Sequence, residues 1–111
     1  MTTSELGELL TAVIDRIIPR DADPGALELG TDDFVRDRLA EDAGRRAAIE
    51  AGLAALPAGF AASDAAARDA ALAAVAGEAW FVALSELVAE GFYADPGNGG
   101  NRGARSWAMI G

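Results

Sequence analysis

The sequence predicts an all-α fold, a small irregular helical bundle of about five helices followed by a glycine-rich C-terminal tail. Apolar residues recur at the three- and four-residue spacing of amphipathic helices. No stretch alternates between apolar and polar residues long enough to indicate a strand. A chain of 111 residues can bury one hydrophobic core, so we expect a single domain over residues 1–111, with its tail from about residue 94.

The first predicted helix spans residues 4–18 and is strongly amphipathic. Thr2 and Glu5 have the spacing of a capping box at its start, and Pro19 ends it because its ring cannot follow a continuing helical turn. Residues 20–30 then form a loop with one short turn. The apolar side of this helix consists of Leu6, Leu9, Leu10, Val13, Ile14, Ile17 and Ile18.

Two shorter helices follow the loop. The second predicted helix has Thr31 as its N-cap, two acidic residues in its first turn and an end near Asp42. The third runs over about residues 44–56 and ends before Pro57. Their buried sides are predicted to hold Phe34, Val35 and Leu39 in the second helix and Ile49, Leu53 and Leu56 in the third.

The fourth predicted helix begins at the N-cap Ser63 and continues through Val75. Its apolar side is thin, because Leu72 and Val75 are its only large apolar residues. Asp64 and Arg68 have the spacing of an exposed i,i+4 ion pair.

The fifth predicted helix spans residues 78–92 and is apolar around most of its circumference. Such a helix lies at the centre of a bundle, or is buried by the core on one side and by a partner on the other. Its large apolar residues are Trp80, Phe81, Leu84, Leu87, Val88 and Phe92.

Charge and residue content exclude several classes of function. The formal net charge is −9, which argues against binding nucleic acid or an anionic membrane surface. No apolar stretch has the length of a transmembrane helix, so we expect no direct membrane insertion. The sequence contains no histidine, cysteine or lysine, which removes the commonest general bases, nucleophiles and metal ligands. We expect no catalytic, cofactor-binding or metal-binding residues in this chain.

The tail combines glycines with aromatic side chains. The stretch 97–103 is rich in glycine, with Phe92 and Tyr93 before it and Trp107 after it. Glycines allow close approach of the backbone to another surface, and Arg102 and Asn101 offer directional hydrogen bonds. On these residues alone, docking to a partner and packing within the chain both remain open.

Several motifs together resemble one known family. They are DRIIP at 15–19, GLAAL at 52–56, EGFYADP at 90–96 and GGNR at 99–102, followed by Trp107. In this order they resemble the gluconate 2-dehydrogenase subunit 3 family over nearly the whole chain. Asn98 and Ser106 depart from the family pattern, in which a tyrosine and a glycine often stand at these places.

The resemblance implies a non-catalytic small subunit that binds and stabilises a large oxidoreductase of the glucose-methanol-choline type. In such complexes the large subunit holds FAD and oxidises a sugar, a sugar acid or a polyol. The small subunit has no cofactor of its own. The residues expected to bind the partner are Phe92, Tyr93, Asp95, Pro96, Gly99, Gly100, Asn101, Arg102 and Trp107.

Family members often start with a twin-arginine export signal, and this sequence has none. We therefore expect a cytoplasmic complex, or a periplasmic one where a leader has been removed. The alternative function, from another class, is a stand-alone helical adaptor or regulator that binds an unrelated partner.

Overall fold

The computed structural model describes residues 1–21 and 23–93, which form five α-helices and one 3-10 turn. No strand occurs among these residues, so the predicted all-α fold is confirmed. The helices are α1 (Thr3–Ile17), α2 (Thr31–Ala40), α3 (Ala43–Ala54), α4 (Ala65–Val75) and α5 (Ala79–Phe92), and the 3-10 turn is Phe60–Ala62. The predicted tail lies outside the described residues.

Helix α1 begins as the sequence predicts. The side-chain oxygen of Thr2 accepts a hydrogen bond from the backbone N–H of Glu5 at 3.1 Å, which satisfies one of the free donors at the helix start. The helix ends at Ile17, just before the proline that was expected to end it. It buries Leu10, Ala12, Val13 and Ile14 against the core.

The predicted N-cap of α2 is wrong by one residue. Gly30 is the cap, in the left-handed conformation with φ 76°, and Thr31 is the first helical residue and is fully buried. The preceding turn explains the shift, because the N–H of Thr31 donates to the carbonyl of Ala26 at 3.0 Å. A glycine adopts the positive φ of the cap without steric cost.

Two further helix boundaries differ for the same kind of reason. Helix α2 ends at Ala40 because Asp42 caps α3, accepting a hydrogen bond from the N–H of Arg45 at 3.0 Å. At α4 the cap is Asp64, which accepts from the N–H of Ala67 at 2.8 Å. The predicted cap Ser63 instead closes the 3-10 turn, since its hydroxyl donates to the carbonyl of Phe60 at 2.7 Å.

Helix α5 lies in the middle of the bundle and packs against α1, α2 and α3. Two glycines allow these close contacts. A side chain at Gly52 of α3 would overlap the indole ring of Trp80, and one at Gly91 would lie 2.6 Å from the ring of Phe34. The core residues contributed by α5 are Trp80, Leu84, Leu87, Val88 and Phe92.

No single helix among the described residues is both long and apolar enough to span a membrane. Helices α4 and α5 reach the required length and composition only as a pair, and the two are bent by 118° where they meet.

Helix α4 has the thinnest contact with the core, since Leu72 is its only buried residue. A bidentate ion pair connects α4 to α1. Nε and Nη2 of Arg16 donate to the two carboxylate oxygens of Asp69 at 2.8 and 2.9 Å. These hydrogen bonds lower the pKa of Asp69 and raise that of Arg16.

We expect Asp69→Asn to reduce the pH dependence of stability in acid. Because the pKa of Asp69 is lowered in the folded state, its contribution is present above the usual aspartate range and is lost as the pH falls through the lowered pKa. The loss of stability at neutral pH should be small, since the Asp69 side chain is half exposed. Urea unfolding at several pH values measures this, with the exposed Asp37→Asn as the control. Parallel pH profiles for wild type and Asp69→Asn would contradict it.

Candidate partner-binding surface

The structure describes two of the nine residues predicted to bind a partner. Phe92 ends α5 and Tyr93 follows it. The other seven lie outside the described residues, and their assignment stays a prediction: Asp95, Pro96, Gly99, Gly100, Asn101, Arg102 and Trp107.

The last turn of α5 is fixed to α2 through one aromatic ring. Phe34 packs against Gly91, where an added Cβ would lie 2.6 Å from its ring. The guanidinium carbon of Arg38 lies 4.7 Å from the centre of the same ring, in a cation–π contact. Nη1 of Arg38 also lies 3.4 Å from Oε1 of Glu90. These contacts hold the end of α5, and with it Tyr93, in a defined position beside α2.

Phe92 and Tyr93 differ in burial although they are adjacent. Phe92 is 4% exposed and belongs to the core, whereas Tyr93 is 49% exposed. Their rings meet edge to face, with centroids 4.9 Å apart and planes at 88°. Of the two, Tyr93 is therefore the more exposed, and its ring packs on the ring of the buried Phe92.

A second exposed apolar residue on α5 was not singled out by the sequence. Val82 is 43% exposed and lies eleven residues before Tyr93, which is three helical turns along the same side. Glu86 and Ala89, both exposed, lie between them on this side. We call these four residues the outer stripe. Their four- and three-residue spacing is visible in the sequence, but the side of α5 that stays exposed depends on the packing of α1, α2 and α3.

The remaining surface of α1, α2 and α3 carries an apolar cleft of about 270 Å³. Its apolar lining comes from Leu6, Leu10, Leu39, Ile49 and Leu53, and Arg36 and Arg46 also line it. Arg36 donates hydrogen bonds to Asp32 at 2.7 Å and to the hydroxyl of Thr11, so its charge is already compensated. Within residues 1–21 and 23–93, no three acidic side chains come close enough together to hold a metal ion.

The described residues thus define a small helical bundle whose central helix exposes Val82, and Tyr93 just after its end, on one side, with Glu86 and Ala89 between them. The chain belongs to the gluconate 2-dehydrogenase subunit 3 family, whose model matches residues 5–111. The family resemblance deduced from the motifs is confirmed. Neither the curated proteins nor the solved structures gave a significant match to this chain.

Proposed function

We propose that this chain is an accessory subunit that binds and stabilises a large FAD-dependent oxidoreductase of the glucose-methanol-choline type. The name of its family describes a subunit of a dehydrogenase. In this proposal the large subunit holds the flavin and oxidises a sugar, a sugar acid or a polyol. The small subunit contributes a binding surface and no catalytic group. This agrees with its sequence, which lacks imidazole, thiol and amine side chains.

The outer stripe is the observation that carries the proposal. A helix that packs against three others would bury its large apolar residues, yet Val82 and Tyr93 remain about half exposed on one side of α5. Apolar and aromatic side chains surrounded by polar groups are typical of protein interfaces. Because α5 is already fixed against α2, binding a partner on this side requires no loss of conformational entropy to order the helix.

We expect Val82→Glu to weaken binding to the large subunit by about tenfold or more, because a carboxylate would be placed in an apolar contact. Trp107→Ala should weaken it as well if the predicted tail contact exists. Neither change should reduce helicity appreciably, since Val82 is half exposed in the free chain. Co-purification of the tagged chain with a co-expressed flavoprotein measures retention, and circular dichroism measures helicity.

Ala74→Glu is the matched control, since Ala74 is an exposed residue of α4 away from the outer stripe. It should retain the flavoprotein as wild type does. Equal retention by Val82→Glu and wild type would place the interface elsewhere. A wild-type chain that folds tightly as a monomer and never retains the flavoprotein would favour the independent adaptor.

A further inference from the structure

Arg68 is the exception among the arginines of the described helices, because no carboxylate of the described residues lies within 4.0 Å of its guanidinium, although its charge contributes to the lowered pKa of Asp69. Each of the others lies within 4.0 Å of a carboxylate, as is expected in a chain with twice as many acidic as basic residues. The observed pairs are Arg16–Asp69, Arg36–Asp32, Arg38–Glu90, Arg45–Asp42 and Arg46–Glu50.

The two acids nearest to Arg68 in sequence are engaged elsewhere. Asp64 was expected to form an i,i+4 pair with it, but Asp64 caps α4 by accepting from the N–H of Ala67 at 2.8 Å. Asp69 faces Arg16 and accepts two hydrogen bonds from it. The predicted Asp64–Arg68 pair is therefore wrong. Capping alone does not prevent such a pair, since Asp42 caps α3 and also lies 3.4 Å from Nε of Arg45. The side chain of Arg68 instead lines a cleft along α1.

The Nε atom of Arg68 is buried and has no hydrogen-bond acceptor. A buried donor without an acceptor costs free energy, and the cost is larger when the group is charged. The side chain is partly exposed and lines an open cleft of about 580 Å³ along α1, beside the 3-10 turn. A group that entered this cleft with two acceptor oxygens would compensate both the charge and the unsatisfied donor.

The lining of the cleft favours a protein side chain over a small free anion. Ala12, Leu27 and Ala61 give it apolar walls, and the hydroxyl of Thr11 lies among them. Glu8 and Asp15 also line it without making an ion pair with Arg68, and Arg36 is already engaged by Asp32. The two acids would weaken the attraction for a freely diffusing anion, whereas a carboxylate held by a docked protein also gains from the apolar contacts.

We propose that Arg68 and its cleft bind a carboxylate side chain, aspartate or glutamate, presented by the large subunit. The inference rests on the proposed function and adds a second contact region, on α1 and α4, to the outer stripe of α5. Arginine is, with tryptophan and tyrosine, one of the residue types that commonly contribute most to binding at an interface.

The test compares Arg68→Met with Arg20→Met. Methionine keeps the apolar stem of arginine and removes the guanidinium. Arg20 is exposed and makes no ion pair, so it controls for the loss of one positive charge. We expect Arg68→Met to lower retention of the co-expressed flavoprotein about tenfold, and Arg20→Met to leave it within about twofold of wild type. The thermal midpoint of the free Arg68→Met chain should equal or exceed that of wild type, because a buried donor without an acceptor is removed.

Four outcomes would overturn this inference. Full retention by Arg68→Met, with wild type also retaining the flavoprotein, would overturn it and leave the proposed function standing. A fall in the thermal midpoint that parallels the fall in retention would make Arg68 a structural residue. Binding of free acetate or phosphate to Arg68 in the isolated chain, seen in its side-chain NMR signals, would make the cleft a small-anion site. If even wild type retains no flavoprotein, the proposed function fails together with this inference.

Discussion

Gly52→Ala is expected to destabilise the fold by about 3 kcal/mol or more, at or above the upper end of what overpacking a core usually costs. The added Cβ would overlap the indole of Trp80, which is 8% exposed and packed between α3 and α5. Neither helix can move away easily, because α5 also contacts α1 and α2. The free energy of unfolding of a protein is about 5–15 kcal/mol, so this change would remove a large part of the stability.

Chemical unfolding followed by circular dichroism measures this change, and Gly7→Ala is its control. Gly7 also lies within a helix, but nothing lies within 4 Å of an added Cβ there. Alanine should therefore stabilise α1 by about 0.5–1 kcal/mol through helix propensity alone. In the double variant Gly52→Ala/Trp80→Ala the two losses should be less than additive. Stabilisation by Gly52→Ala alone would show that the glycine is not required by the indole.

Gly25→Ala should produce the second large loss, about 2–3 kcal/mol. An added Cβ would lie 2.6 Å from the backbone nitrogen of Arg20 and 2.8 Å from the carbonyl oxygen of Ile18. These are backbone atoms, so the clash cannot be relieved by rotating a side chain. The loop would have to open and break the hydrogen bond from the N–H of Ala26 to the carbonyl of Ile18, now 2.9 Å.

The loss at Gly25 should appear as a lower thermal midpoint and as faster hydrogen exchange at Ala26. Gly77→Ala is the control, because Gly77 also connects two helices but has no atom within 4 Å of an added Cβ. It should be neutral or slightly stabilising. A thermal midpoint for Gly25→Ala equal to that of Gly77→Ala would contradict the close packing of this loop.

Local signals in the sequence predicted the helices well. The cap of α1 was predicted because Thr2 and Glu5 are close in sequence and compete with no other group. The caps of α2 and α4 were displaced by one residue, because the turns before them use the side chain or backbone of the residue that was expected to cap. Such turns depend on the geometry of the preceding loop, which helix propensity does not encode.

Long-range contacts could not be predicted in the same way. Gly52 and Gly91 were noticed as parts of two motifs, but their partners Trp80 and Phe34 lie far away in sequence. In the structure Gly52 packs closely against Trp80 of α5, and Gly91 packs closely against Phe34 of α2. The glycines of the motifs GLAAL and EGFY are therefore explained by the packing of the central helix, whether or not these motifs also contribute to docking.

The candidate binding surface was also predicted only where the signal is local in the sequence. Tyr93 was predicted as a partner contact and is exposed, whereas its neighbour Phe92 is in the core. The proposed contacts Val82 and Arg68 could not be predicted, because their exposure and pairing depend on which side chains the bundle covers and on which acids are engaged elsewhere. Exposure and unsatisfied hydrogen bonds are properties of the packed structure.

The proposed function requires this bundle to be bound to a large flavoprotein. The most direct measurement is the native mass and the absorbance spectrum of whatever co-purifies with the untagged protein from its own cells. We expect a heteromeric complex with a flavin spectrum and a mass well above that of this chain. A colourless species at 11.3 kDa, with no other protein bound, would contradict it.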